Sequence, residues 1–581
     1  MKDKANGFPV KVPYGGSVCK VFRQKTLKVR EAFRRFGREA ELKTGDKMEI
    51  REEDEMIRGI VAEVREDFEN RKMQRRTFDA QWRLNINYLL GNQYCDINAN
   101  GDVTDYEKKY FWQNQDSFNH IATVIESRHS KLLKIRPRLN VFPATDNEND
   151  VKTAEICKKI LDSVCNTEDV SKVISDTVRW SEACGTAFYK VIWNPKLGHK
   201  IGNETPFQTG DVQVLSIPPF EIYPESSAVE NVEDLKSIIH ARAYHIDEIK
   251  NTWGVDVEGE DVDIFMLNGF NSQGLASAEH YQNSKKNYAV VLEKYEAPSI
   301  NFPNGRLIIV AGDKLLHFGE LPYVNGPSGQ RGFPFVKQTS CSGIGCFWGT
   351  SIIERLIPIQ RAYNAVKNRK HEYINRASIG VLAVEDGSVD VDNLEEDGLC
   401  PGKVLVYRQG SNLPQFMDGE HQPFDFIEEE KTLLDEFSSI SGVSDMFFDN
   451  YLSKQISGNA LELMIEQDEN RMLATIDNTR SAIKQVGKLI LRLYKQFASV
   501  PVLAKIVGDS GKADVFYFTK SDISSDDVAM DVRNDVYDSY VQKKQLVLDL
   551  LDRGVFNGQD GKLSPAFKEK ILDFVGLADW K

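Results

Sequence analysis

The stretch VSDMFFDNYLSKQISGNALELMIEQDENRMLATIDNTRSAIKQVGKLILRLYKQF, residues 443–497, decides the fold of this chain. From Ser457 onward its apolar side chains recur about every 3.6 residues, the period of an α-helix with one buried face. The apolar positions are Leu461, Met464, Ile465, Met472, Ile476, Ile483, Val486, Ile490, Leu493 and Phe497. The predicted helix of about forty residues is far longer than a small domain needs. We therefore expect it to pack along neighbouring elements or along other copies of the chain.

Two amphipathic helices are predicted upstream of this one, at residues 350–377 and 424–440. Asp425 is suited to cap the second helix and Gly442 to end it. Pro358 should kink the first helix or mark its first turn. Between the two helices, turn residues separate short β-like runs at 380–384, 403–407 and 413–417. The predicted order is helix, small β excursion, helix, loop and long helix.

The first half of the chain mixes helix and strand patterns. Residues 52–90 predict a helix that Gly91 ends. An α+β region follows, with strands predicted at 187–193, 212–217, 220–223, 288–295 and 306–311. Beyond the long helix, residues 521–535 are rich in turn formers, and helices are predicted near 537–552 and 565–574.

Composition indicates a globular protein. With 581 residues, 41% of them hydrophobic and 28% charged, the chain can bury a sizeable core and should divide into about three to five modules. It has no apolar run of the roughly eighteen residues that cross a bilayer, and residues 1–14 lack the apolar segment of a signal peptide. We therefore expect no membrane partner and a soluble protein made in the cytoplasm. The eight cysteines form no CxxC pair, which favours reduced thiols.

Charge is unevenly distributed. The net charge of −14 argues against tight, nonspecific binding to nucleic acid, because Lys and Arg contacts to phosphate supply most of that affinity. Residues 1–47 are the exception, with 13 Lys and Arg against 5 Asp and Glu. This basic arm either grips DNA or an acidic partner surface, or is a solvated terminal helix. The sequence leaves both interpretations open.

Residues 96–107 match the spacing of an EF-hand calcium loop. Oxygen-bearing side chains alternate along the segment, and Gly101 permits its sharp turn. The candidate ligands are Asp96, Asn98, Asn100, Asp102 and Glu107. Against a metal, residues 91–93 separate the loop from the preceding helix, no second hand is present, and Asn and Gly also populate ordinary turns. A structural calcium site and a plain turn both remain open, and no other cofactor is predicted.

Patterns of catalytic residues are missing from the sequence. The segment GDSGKA, residues 508–513, lacks the spacing of a phosphate-binding P-loop and is interpreted as a loop. His120 and His129 fall in a helical pattern, where packing or surface roles are favoured over catalysis. We therefore expect that the chain is not an enzyme.

Several local phrases resemble one known family. They are WRLNINYLLGNQ (82–93), NHIATVIESRHSKLLKIRPRLNVFP (119–143), WGTS (348–351) followed by Gln360 and Asn364, and SGNA (457–460) followed by Asp477 and Asn478. Each phrase is short, but their order and spacing over residues 81–580 resemble the portal proteins of tailed bacteriophages, in particular the large portals of short-tailed phages. A nucleic-acid-processing enzyme of a mobile element and a calcium-dependent structural scaffold are the alternatives.

The resemblance implies a mainly α portal-type fold with an α+β wing, a small β-containing clip, and long stem and wing helices. It implies a ring of twelve subunits at one vertex of the capsid. The implied segments are a basic N-terminal arm (1–49), the wing (50–346), a first stem helix (347–377), the clip (378–423), a second stem helix (424–442), a channel loop (443–456), a long wing helix (457–500), a connecting segment (501–535) and a crown (536–581).

The same resemblance implies two interaction sites. The channel loop would face double-stranded DNA through Asp445, Met446, Phe447, Phe448, Asp449, Asn450, Tyr451, Lys454 and Gln455. Alternatively it is a packed hairpin whose two phenylalanines belong to the core. The clip would bind a basic partner through Glu385, Asp386, Asp390, Asp392, Glu395, Glu396 and Asp397, although a charge run is commonly a solvated surface.

The implied function is a conduit for DNA packaging and ejection in the virion. DNA must slide through such a conduit without sticking, and an acidic or mixed wall suits that task better than a basic one. The implied partners are other copies of the chain, the major capsid protein, the packaging ATPase (the large terminase subunit), tail adaptor or connector proteins, and double-stranded DNA.

Overall fold

The computed structural model of the protein describes residues 46–106, 113–133, 138–143, 147–167, 170–198, 200–201, 207–260, 287–324, 329–379, 381–387, 406, 408–410, 412, 415–417, 425–443, 458–498, 502–507, 513–518 and 529–533. The basic arm up to residue 45 and the helices predicted near 537–552 and 565–574 lie outside these residues.

Helix exceeds strand among the described residues. The helices are α1 (Asp46–Leu90), α2 (His120–Leu133), α3 (Glu148–Thr167), α4 (Val170–Cys184), α5 (Ile246–Trp253), α6 (Ile352–Ile379), α7 (Asp425–Ser441) and α8 (Gly458–Phe497). The four long predicted helices are confirmed as α1, α6, α7 and α8, with small differences at their ends. Pro358 lies inside α6, beyond its first turn. Gly442 follows α7 with a φ of +70°, the left-handed conformation that ends many helices.

The strands fall into one larger sheet, one smaller sheet and several pairs. They are β1 (Cys95–Ile97), β2 (Val103–Asp105), β3 (Arg138–Phe142), β4 (Thr186–Asn194), β5 (Lys200–Ile201), β6 (Phe207–Gln208), β7 (Asp211–Ile217), β8 (Ile222–Pro224), β9 (Ser237–His245), β10 (Tyr288–Glu296), β11 (Arg306–Ala311), β12 (Lys314–Gly319), β13 (Phe335–Thr339), β14 (Val381–Ala383), β15 (Gln415–Met417), β16 (Val502–Val507), β17 (Ala513–Phe518) and β18 (Ala529–Arg533).

All pairings between these strands are antiparallel. The five-stranded sheet has the order β12-β11-β10-β9-β8, and the three-stranded sheet has the order β13-β4-β7. The pairs are β1-β2, β3-β18, β5-β6, β14-β15 and β16-β17. The small pair β14-β15 lies between α6 and α7 in the chain, where the sequence predicts a β excursion; within the predicted run at 403–407, only residue 406 is described.

Two sequence predictions of local structure are wrong. Instead of one strand at 220–223, a 3-10 turn at Pro219–Glu221 precedes β8, because Pro219 has a fixed φ and no N–H for a ladder. Residues 521–535, predicted as turns, include β18, which pairs with β3 so that Val532 lies opposite Leu139. The partner strand is almost four hundred residues away in the chain, and no local pattern identifies it.

Helix α1 joins three hydrophobic cores. Its Val61, Val64 and Phe68 pack on one face of the five-stranded sheet. Further along, Trp82 packs into the core beneath the other face of that sheet, and Tyr88 reaches a core shared with α2, α6 and α7. A fourth core lies between α8, α3, α4 and the three-stranded sheet. The helix pair α6 and α7 is thus tied to the sheets through α1.

The two sheets are also joined by a buried polar cluster. Lys190 Nζ on β4 donates to Glu293 Oε2 on β10 at 2.6 Å, and Tyr295 Oη donates to the same oxygen at 2.7 Å. His240 Nε2 lies 3.1 Å from Glu221 Oε2. Burial alone would raise the pKa of Glu293, but Lys190 and His240 hold that pKa well below its ordinary value. The cluster therefore carries a compensated charge between the sheets.

Among the described residues, none of the helices is both long enough and apolar enough to cross a membrane. The described cysteines are free thiols, and Cys95, Cys157 and Cys184 are buried. Burial raises the pKa of the Cys95 thiol to about 12, so this thiol is held in its unreactive protonated form.

Candidate functional site at the base of the helix pair

Helices α6 and α7 lie side by side and share an aromatic and ionic contact. The ring of Tyr363 on α6 lies 6.5 Å from that of Phe437 on α7, edge to face. Glu430 of α7 accepts hydrogen bonds from both Lys367 and Lys370 of α6, the second at 2.8 Å. Burial alone would raise the pKa of Glu430, but the two lysines lower it below its ordinary value. The pair is therefore held by a half-buried ion cluster as well as by packing.

A second face of α6 binds an extended segment, residues 113–119, by a ladder of side chains. Side chains spaced four residues apart on the helix accept from backbone N–H groups spaced two residues apart on the segment. The contacts are Gln360 Oε1 with His120 N (3.1 Å), Asn364 Oδ1 with Phe118 N (3.1 Å), Asn368 Oδ1 with Asp116 N (3.2 Å) and Glu372 Oε1 with Asn114 N (3.0 Å).

The two spacings match for a geometric reason. Four residues of α-helix rise about 6 Å, and two residues of extended chain advance about 6.6 Å. Two of these side chains also donate hydrogen bonds to the segment. Asn368 Nδ2 donates to the Asp116 carbonyl oxygen at 3.0 Å, and Gln360 Nε2 donates to the Phe118 carbonyl oxygen at 2.6 Å. The helix side chains thus form hydrogen bonds with the backbone N–H and C=O groups of the segment, as a neighbouring strand would.

At the other end of α7, a buried arginine joins three distant parts of the chain. Arg128 of α2 is 4% exposed. Its Nε donates to Glu182 Oε2 of α4 at 2.6 Å, and its Nη1 donates to the carbonyl oxygen of Ser441 at 2.9 Å. Its Nη2 lies 3.5 Å from Thr475 Oγ1 of α8. We call Arg128, Glu182, Ser441 and Thr475, together with Ser340, the polar junction.

The charges in the polar junction compensate each other. Glu182 is fully buried, and its second oxygen accepts from Ser340 Oγ at 2.6 Å. Thr475 Oγ1 donates to the Ser340 carbonyl at 3.0 Å. Burial alone would lower the pKa of Arg128, but the Glu182 carboxylate raises it above its ordinary value. A fully paired buried ion pair of this kind fixes geometry, and removing one partner is costly.

The polar junction fixes the point where the predicted channel loop begins. Ser441 is the last residue of α7, and Gly442 turns the chain away from the helix. A Cβ at Gly442 would lie 3.3 Å from Arg471 Cβ on α8, in addition to the cost of its positive φ. Ser438 Oγ donates to the Val443 carbonyl at 2.8 Å. Residue 443 is therefore held against the end of α7, and residue 444 begins the undescribed stretch.

The predicted site residues are only partly within the described structure. All the channel-loop candidates, Asp445 to Gln455, lie outside it, as do Asp390, Asp392, Glu395, Glu396 and Asp397 of the clip. Glu385 and Asp386 are described and exposed, just beyond β14. The Glu385 carboxylate accepts from the backbone N–H of Asn412 at 2.8 Å. Both groups of site residues remain predictions.

The EF-hand-like segment is a β-hairpin in the structure. Strands β1 and β2 pair on either side of the turn at residues 98–102, and Asn98 Oδ1 accepts from the N–H groups of Asn100 and Asp102 at 3.0 and 2.9 Å. Asp96 forms an ion pair with Arg361 of α6 at 3.1 Å. Burial alone would raise the pKa of Asp96, but Tyr106 and Arg361 lower it.

Several features of this hairpin bear on the calcium prediction. Strand β2 lies within the twelve residues that would form the loop, and Glu107 and the residues after it, where an EF-hand has its second helix, lie outside the described residues. No cluster of three or more His, Cys, Asp or Glu side chains suited to a metal occurs in the described part of the chain. Calcium binding stays a prediction.

Sequence reasoning missed the polar junction, although a signal was present. Arg128 lies on the apolar stripe of α2, with Ile121, Val124, Ile125 and Leu132 at helical spacing, and all five are buried. A charged residue in such a stripe indicates a buried partner. The partner, Glu182, carries the same signal, because it continues the stripe of Val170, Ile174 and Val178 on α4.

The arrangement is suited to holding segments in place. Its charged groups are paired and buried, and its polar side chains bind backbone. A comparison with protein families gives a match of residues 113–545 to the phage P22-like portal protein family. The match covers well over half of the chain and includes α2, α6, α7 and α8. No curated protein matches the chain.

Proposed function

Because the chain belongs to the phage P22-like portal protein family, we propose that it forms a ring of twelve subunits around a channel for double-stranded DNA. The family is a structural one and not an enzyme family, and its members belong to the phage virion. In the proposal, the ring sits at one unique capsid vertex, is made in the host cytoplasm, and serves packaging and later ejection. The family match carries this proposal.

The order of the elements supports the proposed division into parts. Helix α6 would be the first stem helix (347–377), α7 the second (424–442), and α8 the long wing helix (457–500). The wing (50–346) would hold both sheets, the clip (378–423) would hold β14 and β15, and the crown (536–581) would follow the connecting segment (501–535). The clip is then the part that docks the packaging ATPase and, later, the tail adaptor, while the wing meets the major capsid protein.

The channel loop (443–456) is the proposed contact with DNA. Lys454 would touch phosphate, while Asp445 and Asp449 would keep the contact weak. The net charge of −14 agrees with a wall over which DNA slides. The contacts at the end of α7 support this role, because Arg128 binds Ser441 and Ser438 binds the first residue of the loop, Val443.

Imaging of the purified full chain by negative-stain electron microscopy tests the proposal. We expect rings with a central hole, in the presence and in the absence of a calcium chelator. Loss of the rings with chelator would instead support the calcium-dependent scaffold. Persistent monomers, even together with coat protein, would overturn the portal proposal.

A further inference from the structure

Helices α6 and α7 carry opposite charge in a chain that is acidic overall. Helix α6 contains six Lys and Arg against two Asp and Glu. Helix α7 contains six Asp and Glu against one Lys. The contact between the two helices uses only part of this charge, namely Lys367 and Lys370 of α6 with Glu430 of α7. The remaining charge lies mainly on other faces.

The exposed face of α6 is basic. Arg355, Ala365 and Arg369 are all exposed. Their spacings of ten and four residues place them on one side of the helix, away from the lysines that meet α7. Between the arginines, the face carries small side chains, Ala362 and Ala365, together with Pro358, which lets another helix approach closely. We call Arg355, Ala365 and Arg369 the basic face.

The exposed face of α7 is acidic. Glu428, Glu429, Asp435 and Glu436 are exposed. Glu428 and Asp435 lie on the side of α7 opposite the buried Phe437, and Glu429 and Glu436 lie next to them on one flank of the helix. We call these four residues the acidic face.

Neither face is neutralised by the residues that the structure describes. In the described part of the chain, no charged side chain of the basic face or the acidic face forms an ion pair, in contrast to Glu430. Two complementary surfaces without partners therefore lie on neighbouring helices. An exposed ion pair contributes little on its own, but complementary patches select partner and orientation.

We propose that the basic face of one copy of this chain docks on the acidic face of the next copy. This inference rests on the proposed ring and names a contact within it. A contact between unlike surfaces is heterologous and can close into a ring. A two-fold contact could pair the two faces reciprocally but would close as a dimer, whereas the proposed ring requires each copy to use one face on each side. Opposite charge on the two helices thus fits head-to-tail assembly.

Charge reversal in the full chain tests the contact. The first variant combines Arg355→Glu with Arg369→Glu, so that both faces are acidic. The second combines Glu428→Lys, Glu429→Lys, Asp435→Lys and Glu436→Lys, so that both faces are basic. Mass photometry at low salt would measure assembly, and circular dichroism would check folding. We expect each variant alone to need at least about tenfold more protein than the parent for half-assembly.

An equimolar mixture of the two variants gives the sharpest outcome. Each junction between unlike variants pairs opposite charges again, so the mixture should form rings in which the variants alternate. A chain with all six substitutions should also assemble, because both of its faces are reversed. Lys152→Glu, an exposed change on α3, is the control and should assemble like the parent.

The assembly results distinguish a wrong contact from a wrong portal proposal. If both variants form rings at the parental concentration, or if the folded variants do not assemble when mixed, the contact is wrong while the portal proposal stands. Parental rings with altered DNA retention in the second variant would assign the acidic face to the channel wall instead. If the parent itself forms no ring, both the proposed function and this contact are wrong.

Discussion

At the scale of single residues, Arg128 of α2 contacts three other helices that the sequence around it does not identify. Its guanidinium bonds a carboxylate on α4 and the last carbonyl of α7, and it lies beside a threonine on α8. The apolar stripe of α2 predicts that position 128 is buried. The identity of the partners depends on how α4, α7 and α8 meet, which the sequence does not reveal.

The substitution Arg128→Met should be strongly destabilising. It keeps an apolar chain of similar length but leaves Glu182 charged and buried without its cation, for which we expect a loss of about 3–5 kcal/mol in the free energy of unfolding. Denaturant titration measures this loss. A matched change on the surface, Arg355→Met, should cost little because Arg355 is exposed.

A double substitution separates the cost of the unpaired buried charge from the cost of lost packing. Adding Glu182→Gln to Arg128→Met removes the unpaired buried charge, so the double variant should be more stable than Arg128→Met alone. Equal stability of parent and Arg128→Met would contradict the role given to the polar junction.

At the scale of elements, helices were predictable and long-range pairings were not. The apolar periods of α1, α6, α7 and α8 are local properties of the sequence, and Gly442 marks its helix end through its own backbone freedom. The pairing of β18 with β3 and the ladder on α6 depend on residues far apart in the chain. The four-residue spacing of Gln360, Asn364 and Asn368 was visible, but its extended partner was not.

The ladder predicts a local change in hydrogen exchange. Asn364→Leu removes the acceptor for the backbone N–H of Phe118, and an unsatisfied group of this kind costs about 1–3 kcal/mol. Exchange should become faster in residues 113–120 and stay unchanged in α3. Asn375→Leu makes the same substitution at an exposed position of the same helix and should leave both regions unchanged. Unaltered exchange at Phe118 would rule out the ladder.

The ion cluster between α6 and α7 predicts a pH dependence. The pKa of Glu430 is lower in the folded protein than its ordinary value, so its carboxylate stabilises the fold above the unfolded pKa of about 4.5. That contribution is lost as the pH falls through the folded pKa. Glu430→Gln should therefore destabilise at pH 7 and much less near pH 3. Urea titrations at both pH values measure the difference, and an equal effect at both would contradict the assignment.

At the scale of the whole molecule, we propose that the small β pair between α6 and α7 is a separable attachment. Strands β14 and β15 pair with each other, and the acidic residues proposed for docking lie within the connection between them. Deleting residues 385–399 should therefore leave rings intact and abolish binding of the tail adaptor. Co-sedimentation of rings with adaptor measures this, and normal docking by the deleted chain would refute the clip assignment.

A substitution in the proposed channel loop should change DNA retention without changing ring assembly. In the proposal, Lys454 contacts phosphate while the contacts between subunits lie elsewhere, so Lys454→Ala should form normal rings that retain less packaged DNA. Lys152→Ala, an exposed change on α3, removes the same charge far from the loop in sequence and should retain DNA normally. Nuclease protection of packaged DNA gives the readout. If Phe447 and Phe448 instead hold the loop as a packed hairpin, Lys454→Ala will retain as much DNA as the parent, and the loop loses its proposed role.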